Sequence, residues 1–362
     1  MNPNIRKFSE MHIGKTYETY ALLLDATEKV AKNGNPYVVL SLCDGEQTIT
    51  AREFGIGLST LRTSGILNGD VVKVVVCVEE YCGKSYNIKF VAKLVDESVT
   101  RDDFIVRAPI NVEEKFAELL QKVGESHVPC EEDSYLEPLS GLTSRILIQN
   151  KEAFVRASAA KSIHHNVIGG LLLHTITMVE MAEQVANKYQ NLDRELLICG
   201  TALHDIGKIT EMQTDELGNT SYTPKGRLLG HSAIGIMLIH EASKIGGANN
   251  EERVLMLEHM LAAHHGVQEY GAIVNPAIKE AVVLHALDMI DSKTYTIDEV
   301  YKSIDEGTLS SNIYGLGGQS VYRPYQLPAI SEPAPPAAAE PVFSTDEDFM
   351  PYGAGIDFTM YC

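Results

Sequence analysis

The chain has 362 residues, of which 44% are hydrophobic, and it carries a formal net charge of −19. This length favours two domains. No apolar run approaches the roughly 20 residues that span a bilayer, and the first residues lack the apolar core of a signal peptide, so we expect a soluble, cytoplasmic protein without a membrane partner. The six cysteines are scattered and form no CxxC pair, which argues against a disulfide scaffold.

The negative charge is unevenly distributed along the chain. Residues 1–100 have a net charge of −1, residues 101–325 of −12 and residues 326–362 of −6. Proteins that bind nucleic acid indiscriminately neutralise phosphates with Lys and Arg, so the total charge argues against such binding. The negative charge disfavours nucleic-acid binding least in the amino-terminal part, which is nearly neutral.

Residues 1–100 have the pattern of a small domain of short strands. Five segments rich in Val, Ile, Tyr and Thr are mostly separated by turn sequences, NGNP, DGE, NGD and CGK. The segments are TYETYALLLDA, PYVVLSLCD, QTITAREF, DVVKVVVCVEEY and SYNIKFVAKLV. Because a longer, partly helical link lies between the third and the fourth, the pattern predicts a five-stranded OB-type β-barrel.

Such barrels bind single-stranded nucleic acid by stacking bases on aromatic rings and following the backbone with cations. The segment GNPYVVLSLCDGEQTITAREF most resembles this type of surface. Aromatic residues also build the cores of small barrels, so we expect only some of them to face a ligand. The predicted nucleic-acid-binding residues are Tyr37, Arg52, Phe54, Lys84 and Tyr86.

Helical periodicity dominates the rest of the chain. Residues 101–160 are predicted to form a helical connector, and residues 161–325 an all-α bundle interrupted by a hairpin-like segment, TDELGNTSYTPKGRLLG. Residues 326–362 are rich in Pro and Ala, acidic and devoid of Lys and Arg, which predicts a disordered tail. The aromatic residues at its end leave open that the tail docks another protein.

Histidine is concentrated in the predicted bundle, where ten of the twelve fall between residues 164 and 285. Five imidazoles and two carboxylates can supply two octahedral metal sites if one carboxylate bridges and waters fill the open positions. Mixed nitrogen and oxygen ligands suit Mn²⁺, Fe²⁺, Co²⁺, Ni²⁺ or Zn²⁺ and argue against Ca²⁺. The predicted metal ligands are His174, His204, Asp205, His231, His264, His265 and Asp288.

These residues resemble the H…HD…D signature of the HD superfamily of phosphohydrolases, and the additional histidines resemble its two-metal branch. By that resemblance one metal is held by His174, His204, Asp205 and Asp288. The other is held by Asp205, His231, His264 and His265, so that Asp205 bridges the two. The chain lacks a GYP signature after HHG, which argues against hydrolysis of cyclic-di-GMP.

A more specific resemblance covers nearly the whole chain before the tail. An OB-fold followed by an HD domain is the layout of the YhaM-type 3′→5′ exoribonucleases, and several strings are similar to that family: AAKSIHHNVIGGLLLHT, ALHDIGKITE, YTPKGRLLGH, HHGVQEYG and LHALDMIDSK. The resemblance implies a metal-dependent 3′→5′ exoribonuclease of single-stranded RNA, with single-stranded DNA as a further candidate substrate.

The implied mechanism uses two divalent ions, with Mn²⁺ the first choice, to generate a hydroxide that attacks phosphorus and releases nucleoside 5′-monophosphates. Besides Asp205, two residues are predicted to act in catalysis. Lys208, three residues further on, can hold a phosphate oxygen if the segment is helical. His164 or His165, with His165 favoured, can contact the phosphate or protonate the leaving 3′ oxygen. His285, one turn before Asp288, is a candidate for orienting a ligand.

Two other functions remain open at this point. The protein could hydrolyse small nucleotides, with the barrel serving regulation or assembly into a homo-oligomer. It could also be a non-catalytic nucleic-acid-binding adaptor, although the complete ligand set argues against a decayed site.

Overall fold

The computed structural model describes residues 6–80, 84–93, 99–128, 136–160, 167–245 and 250–325. The predicted tail, residues 326–362, lies outside the described residues. The barrel and the helices belong to one compact unit, which ends at Arg323. No helix in these ranges combines the length and the apolar character needed to cross a membrane.

The amino-terminal part is a closed barrel of five strands in the order β1-β2-β3-β5-β4, as predicted. Neighbours pair antiparallel except β3 and β5, which run parallel. The strands are β1 (Thr16–Val30), β2 (Pro36–Cys43), β3 (Thr48–Glu53), β4 (Val71–Glu80) and β5 (Lys84–Lys93), and helix α1 (Leu58–Thr63) lies between β3 and β4. This strand order, with a helix before the fourth strand, is that of an OB-fold.

The alternation of side chains explains why these segments close around a core. Successive residues of a strand point to opposite faces. On β4 the inward positions Val72, Val74, Val76 and Val78 are fully buried, whereas the residues between them are half-exposed. The register of β1 shifts near Leu23, and a shift of this kind bends a strand, which lets a single long strand pair with both β2 and β4.

The rest of the unit is helical. Its helices are α2 (Val112–Glu125), α3 (Leu139–Gln149), α4 (Lys151–Arg156), α5 (Gly170–Lys188), α6 (Arg194–Leu203), α7 (Lys208–Glu211), α8 (Pro224–Ser243), α9 (Glu251–Ala263) and α10 (Lys279–Tyr301). The predicted hairpin is present between α7 and α8, as β6 (Met212–Thr214) and β7 (Thr220–Tyr222). Helix starts are fixed by capping side chains, as at Asn111, Asp193, Thr223 and Asn250.

Helix α6 is the centre of the bundle. Every residue from Glu195 to Leu203 is buried, and α5, α9 and α10 pack around it. Their apolar side chains form one continuous core. The residues that follow Leu203 are therefore held at the point where the most buried helix ends.

A smaller apolar cluster joins the barrel to the helices. Phe104 is fully buried in it, and its carbonyl oxygen accepts a hydrogen bond from Cys43 Sγ at 2.9 Å. Gly45, at φ 88°, approaches this segment so closely that a Cβ atom would lie 2.4 Å from the Asp103 carbonyl oxygen. Glycine is required there by both the backbone angle and the contact.

Candidate metal centre

The seven predicted ligands come from five places in the bundle and converge on one point. His174 lies on α5, and Asp288 lies on α10. His204 and Asp205 follow the end of α6, His231 lies within α8, and His264 and His265 follow the end of α9. Two groups of three have ligand atoms within 4.8 Å of one another: His174, His204 and Asp288, and His231, His264 and His265.

The first group is built around His174 Nε2. This atom lies 3.2 Å from His204 Nε2 and 3.6 Å from Asp288 Oδ1. Both imidazoles are fully buried, and the Asp288 side chain is partly accessible. The group therefore combines two nitrogen atoms and one carboxylate oxygen, with access from one side.

The second group is built around His231 Nε2. It lies 3.3 Å from His264 Nε2 and 3.0 Å from His265 Nε2. His264 is buried and His265 is half-buried. Three imidazole nitrogens thus face one another at the edge of the bundle.

Asp205 lies between the two groups and turns one oxygen to each. Its Oδ2 atom is 3.6 Å from His174 Nε2 and 3.2 Å from His204 Nε2. Its Oδ1 atom is 3.4 Å from His231 Nε2 and 3.9 Å from His264 Nε2. This is the arrangement that a bridging carboxylate requires.

In all five histidines the Nδ1 atom has a partner outside the centre, so that Nε2 points inward. His204 Nδ1 lies 2.8 Å from the Thr201 carbonyl oxygen, and His264 Nδ1 lies 2.7 Å from that of Leu261. His265 Nδ1 lies 2.9 Å from the Tyr270 carbonyl oxygen. A carbonyl only accepts, so these Nδ1 atoms donate, and in the neutral ring each Nε2 carries the lone pair.

Two of these partners are supplied by helix ends. The last carbonyls of a helix have no partner within it. His204 and His264 each follow the final helical residue and bond the carbonyl three residues earlier, at Thr201 and Leu261. The segment from His204 to Lys208 is not one continuous helix, the condition attached to the prediction for Lys208, because α6 ends at Leu203 and residues 204–207 form a turn.

Two carboxylates that the sequence analysis missed orient the remaining histidines. Asp291 Oδ2 lies 2.6 Å from His174 Nδ1. Glu211 Oε2 lies 3.1 Å from His231 Nδ1, and its Oε1 accepts a hydrogen bond from the His231 backbone N–H. Asp291 occurs one helical turn after Asp288, and this spacing on a helix was a usable signal. Glu211 had no comparable signal, because only the fold brings it to α8.

The backbone amide of His231 is available to Glu211 because α8 is kinked. Gly230 has φ 73° and ψ 157°, a conformation that L side chains rarely adopt, and it interrupts the helix directly before His231. On the opposite side, Gly207 contacts α8 so closely that a Cβ atom would lie 2.0 Å from the His231 carbonyl oxygen. Glycines on both segments therefore set the distance between Asp205 and His231.

Burial and neighbouring charges favour the cation-binding forms of Asp205, His264 and His265. Burial opposes ionisation of Asp205, but Lys208 and His204 outweigh it and hold the pKa of this carboxyl well below its usual value. Burial, reinforced by the neighbouring imidazoles, lowers the pKa of His264 well below its usual value and also lowers the pKa of His265. Asp205 is thus an anion and His264 a neutral imidazole at neutral pH.

The donor set fits divalent metal ions. With metal–nitrogen bonds of about 2.0–2.1 Å, neighbouring ligands of an octahedron lie roughly 3.0 Å apart. The Nε2–Nε2 distances of 3.0–3.3 Å are of this size. Two facing lone pairs at such distances repel unless a proton or a metal ion lies between them, and the geometry is compatible with a ligand shell.

Lys208 and the other histidines of the bundle occupy varied positions. Lys208 Nζ lies 2.6 Å from Asp205 Oδ2, at the centre. His285 Nδ1 bonds the His264 carbonyl oxygen and thus supports the second group through the backbone. His240 pairs with Glu258 at an exposed position. His165 lies outside the described residues.

On the barrel, three of the five predicted nucleic-acid-binding residues share the outer face. Tyr37 and Phe54 stack with ring centroids 5.1 Å apart. Arg52 lies on β3, two residues before Phe54, and its guanidinium donates a hydrogen bond to Ser85 Oγ. Tyr86 is on the inner side, where it packs against the barrel core and 6.3 Å from the Phe8 ring. The side chain of Lys84 lies outside the described part of the structure.

Comparisons with solved structures return a single-stranded DNA-binding protein and an OB-fold domain. A mitochondrial single-stranded DNA-binding protein from S. cerevisiae is 20% identical, covering 23% of this chain and 96% of its own, with a TM-score of 0.20. The second OB-fold domain of replication protein A from Methanococcus maripaludis is 19% identical over 25% of this chain, also with a TM-score of 0.20. The strand order, rather than these alignments, defines the barrel as an OB-fold.

Comparisons of sequence cover far more of the chain. The HD domain family model matches residues 171–293, which span the segment from His174 to Asp288. The 3′-5′ exoribonuclease YhaM of Bacillus subtilis is 32% identical over 317 residues, covering 86% of this chain and 96% of the relative. The YhaM protein of Halalkalibacterium halodurans is 31% identical, with 86% and 94% covered. The chain therefore belongs to the family of the YhaM 3′-5′ exoribonucleases, with an HD domain behind an OB-type barrel.

Proposed function

We propose that this protein is a metal-dependent 3′→5′ exoribonuclease that shortens single-stranded RNA, and accepts single-stranded DNA, by releasing nucleoside 5′-monophosphates. The relatives that match nearly the whole chain carry the name 3′-5′ exoribonuclease. The single observation that carries the proposal is the convergence of four imidazole nitrogens on the two oxygens of Asp205, with a fifth, His265 Nε2, 3.0 Å from His231 Nε2.

In this proposal the seven residues hold two divalent ions, with Mn²⁺ the preferred metal. His174, His204 and Asp288 hold one ion, His231, His264 and His265 hold the other, and Asp205 bridges them. Bound ions would offset the phosphate charge and lower the pKa of water towards about 7, as divalent metals do in hydrolases.

The chain's own residues have distinct tasks around the scissile phosphate. Lys208 places an ammonium group beside Asp205, where it can bind a non-bridging phosphate oxygen. Addition of water to phosphorus breaks the bond to the 3′ oxygen of the preceding nucleotide, and that oxygen takes up a proton. We assign the delivery of this proton to His165, as the sequence suggests.

The barrel would bind the RNA upstream of the cleaved bond. Tyr37, Phe54 and Arg52 offer a stacked aromatic pair and a cation on one outer face, the combination with which such barrels hold single strands. We accordingly divide the chain into a nucleic-acid-binding part, 1–100, a helical connector, 101–160, a catalytic part, 161–325, and a tail, 326–362.

The test is digestion of a 5′-labelled single-stranded RNA with and without Mn²⁺. We expect a ladder that shortens from the 3′ end and nucleoside 5′-monophosphates as products, both abolished by a chelator. Asp205→Asn should lose the activity and the bound metal, while His240→Ala, a histidine outside both groups, should keep them. Circular dichroism of each variant shows that the fold is retained.

Three results would contradict the proposal. The RNA could stay intact while a cyclic dinucleotide or a nucleoside triphosphate is cleaved, which would favour a small-nucleotide hydrolase. Products could arise by internal cleavage, which would exclude an exonuclease. Unchanged metal content in Asp205→Asn would exclude the bridging role of this carboxylate.

A further inference from the structure

A cavity of about 320 Å³ lies beside the metal centre, between the end of α4, the start of α7 and the β6–β7 hairpin. Its walls include the apolar groups of Ala153, Ala157, Ile209 and Met212, and the polar groups of Gln213 and Thr214. This volume is at the lower end of the range of small-molecule sites, about 300 to 1,000 Å³. Its size suits a single nucleoside.

Lys208 links this cavity to the centre. Lys208 is one of the residues that line the cavity, and its ammonium nitrogen lies 2.6 Å from Asp205 Oδ2. A phosphate bound to Lys208 at the centre would therefore have its attached nucleoside within reach of the cavity. The two sites share a wall, which suits two parts of one substrate.

Arg156, the last residue of α4, supplies a second cation at the same cavity. Its side chain is exposed, and within the described ranges of the chain its guanidinium makes no hydrogen bond or ion pair. An arginine free of acidic partners is notable in a chain with a net charge of −19. A planar guanidinium stacks well on flat aromatic rings, including nucleobases.

We infer that this cavity holds the nucleoside at the 3′ end of the RNA, with Arg156 lying against its base. The inference rests on the proposed exoribonuclease function and adds the residues that position the terminal nucleotide. In 3′→5′ cleavage the unit beyond the scissile phosphate is always a single nucleoside, which a cavity of this size can take. The upstream side carries the remaining strand and requires an open path.

The experiment measures removal of the first nucleotide in a single turnover, from two RNAs that differ only at the 3′ end. One RNA ends in a normal nucleotide and the other in a nucleotide without its base. Arg156→Ala should lower kcat/KM on the normal RNA on the order of tenfold, the effect of losing one stacked base. On the RNA with the abasic end, the wild type and Arg156→Ala should be equal.

Two further variants test the geometry. Arg156→Lys keeps the charge and loses the planar group, so it should fall between the wild type and Arg156→Ala. Lys188→Ala removes an exposed cation at the far end of α5 and should leave both rates unchanged.

The possible failures are distinguishable. If the wild type leaves the normal RNA intact, the proposed function is wrong and the inference falls with it. If the wild type shortens this RNA but Arg156→Ala matches it, only the inference is wrong. An equal loss on both RNAs would also overturn it, because Arg156 would then act on the phosphate or the ribose instead of the base.

Discussion

Asp291 and His174 form a buried pair in which a carboxylate oxygen lies 2.6 Å from the imidazole Nδ1. Both side chains are at least nine-tenths buried. The pair aims His174 Nε2 at His204 and Asp205, which gives Asp291 a role in the centre although it is not among the converging ligands. Carboxylates in this position hold a metal-binding histidine in one tautomer and one orientation.

We therefore expect Asp291→Asn to weaken divalent metal binding by about 10- to 100-fold, because an amide holds the ring less firmly. Titration of the metal-free protein with Mn²⁺, followed by calorimetry, measures the change. Asp298→Asn, an exposed carboxylate further along α10, is the matched control and should bind as the wild type does. Equal affinity in Asp291→Asn would show that the pair is only a packing contact.

Gly207→Ala should destabilise the protein and disturb the centre together. The new Cβ atom would lie 2.0 Å from the His231 carbonyl oxygen and 2.8 Å from the Gly235 nitrogen, so α8 must move. Overpacking of this kind costs about 1–3 kcal/mol. Urea unfolding measures the loss, and metal titration measures the displacement of His231.

Gly124→Ala is the control for this change, because nothing lies within 4 Å of the added atom in helix α2. Its free energy of unfolding should stay equal or rise slightly, since alanine favours the helix. If Gly207→Ala behaved in the same way, the close approach of the turn and α8 would not be required.

Phe54→Ala should weaken RNA binding without lowering stability much. The Phe54 ring is 56% exposed and stacks on Tyr37, so its loss removes one platform for a base. The expected cost is about 1–3 kcal/mol of binding free energy. Fluorescence anisotropy with labelled RNA in the presence of a chelator measures binding apart from cleavage.

Tyr189→Ala removes an aromatic residue of similar exposure, 59%, at the end of α5, and should leave the RNA affinity unchanged. Equal affinities for the two variants would exclude this face of the barrel as the RNA-binding surface.

Cys199 should make the folded state less stable at alkaline pH. Burial raises the pKa of its thiol from 9.0 to about 12, so above pH 9 the unfolded chain loses this proton while the folded chain keeps it. Stability therefore falls as the pH rises, by about 1.4 kcal/mol from this group at about pH 10.

Urea unfolding of the wild type and Cys199→Ala at two pH values tests this sign. The wild type should lose its advantage over the variant by this amount between about pH 7.5 and pH 10. Cys77→Ala, on the barrel, supplies the comparison for a thiol that is only half-buried. A constant difference between the wild type and Cys199→Ala would contradict the prediction.

Much of the fold follows from local patterns. The alternation along β4 and the turn sequences between strands are local properties, and they were sufficient to predict a five-stranded barrel with a helical link. The ends of helices were harder to place. The segment ALHDIGK has helical periodicity, yet α6 ends at Leu203 and a turn follows. In this turn Gly207 packs closely against α8, a contact between residues distant in sequence that local periodicity does not reveal.

The barrel surface shows the same division. The aromatic residues Tyr37, Phe54 and Tyr86 occur in similar strand patterns in the sequence. The register of the strands decides which of these side chains point into the barrel and which point outward. Ala51 pairs with Tyr86 and is fully buried, so Tyr86 points inward, whereas Arg52 and Phe54 are on the outer face. A shift of one residue in pairing would have reversed these positions.

The sequence by itself determined the chemical character of the centre, because residue types and motif order specify which donors are available. The tertiary structure alone decided which atoms converge. It directs one oxygen of Asp205 to each group of histidines and recruits Glu211 and Asp291 to the histidines from outside. The physical reason is that ligand identity is a property of single residues, whereas distances of about 3 Å between side chains depend on how helices far apart in sequence pack.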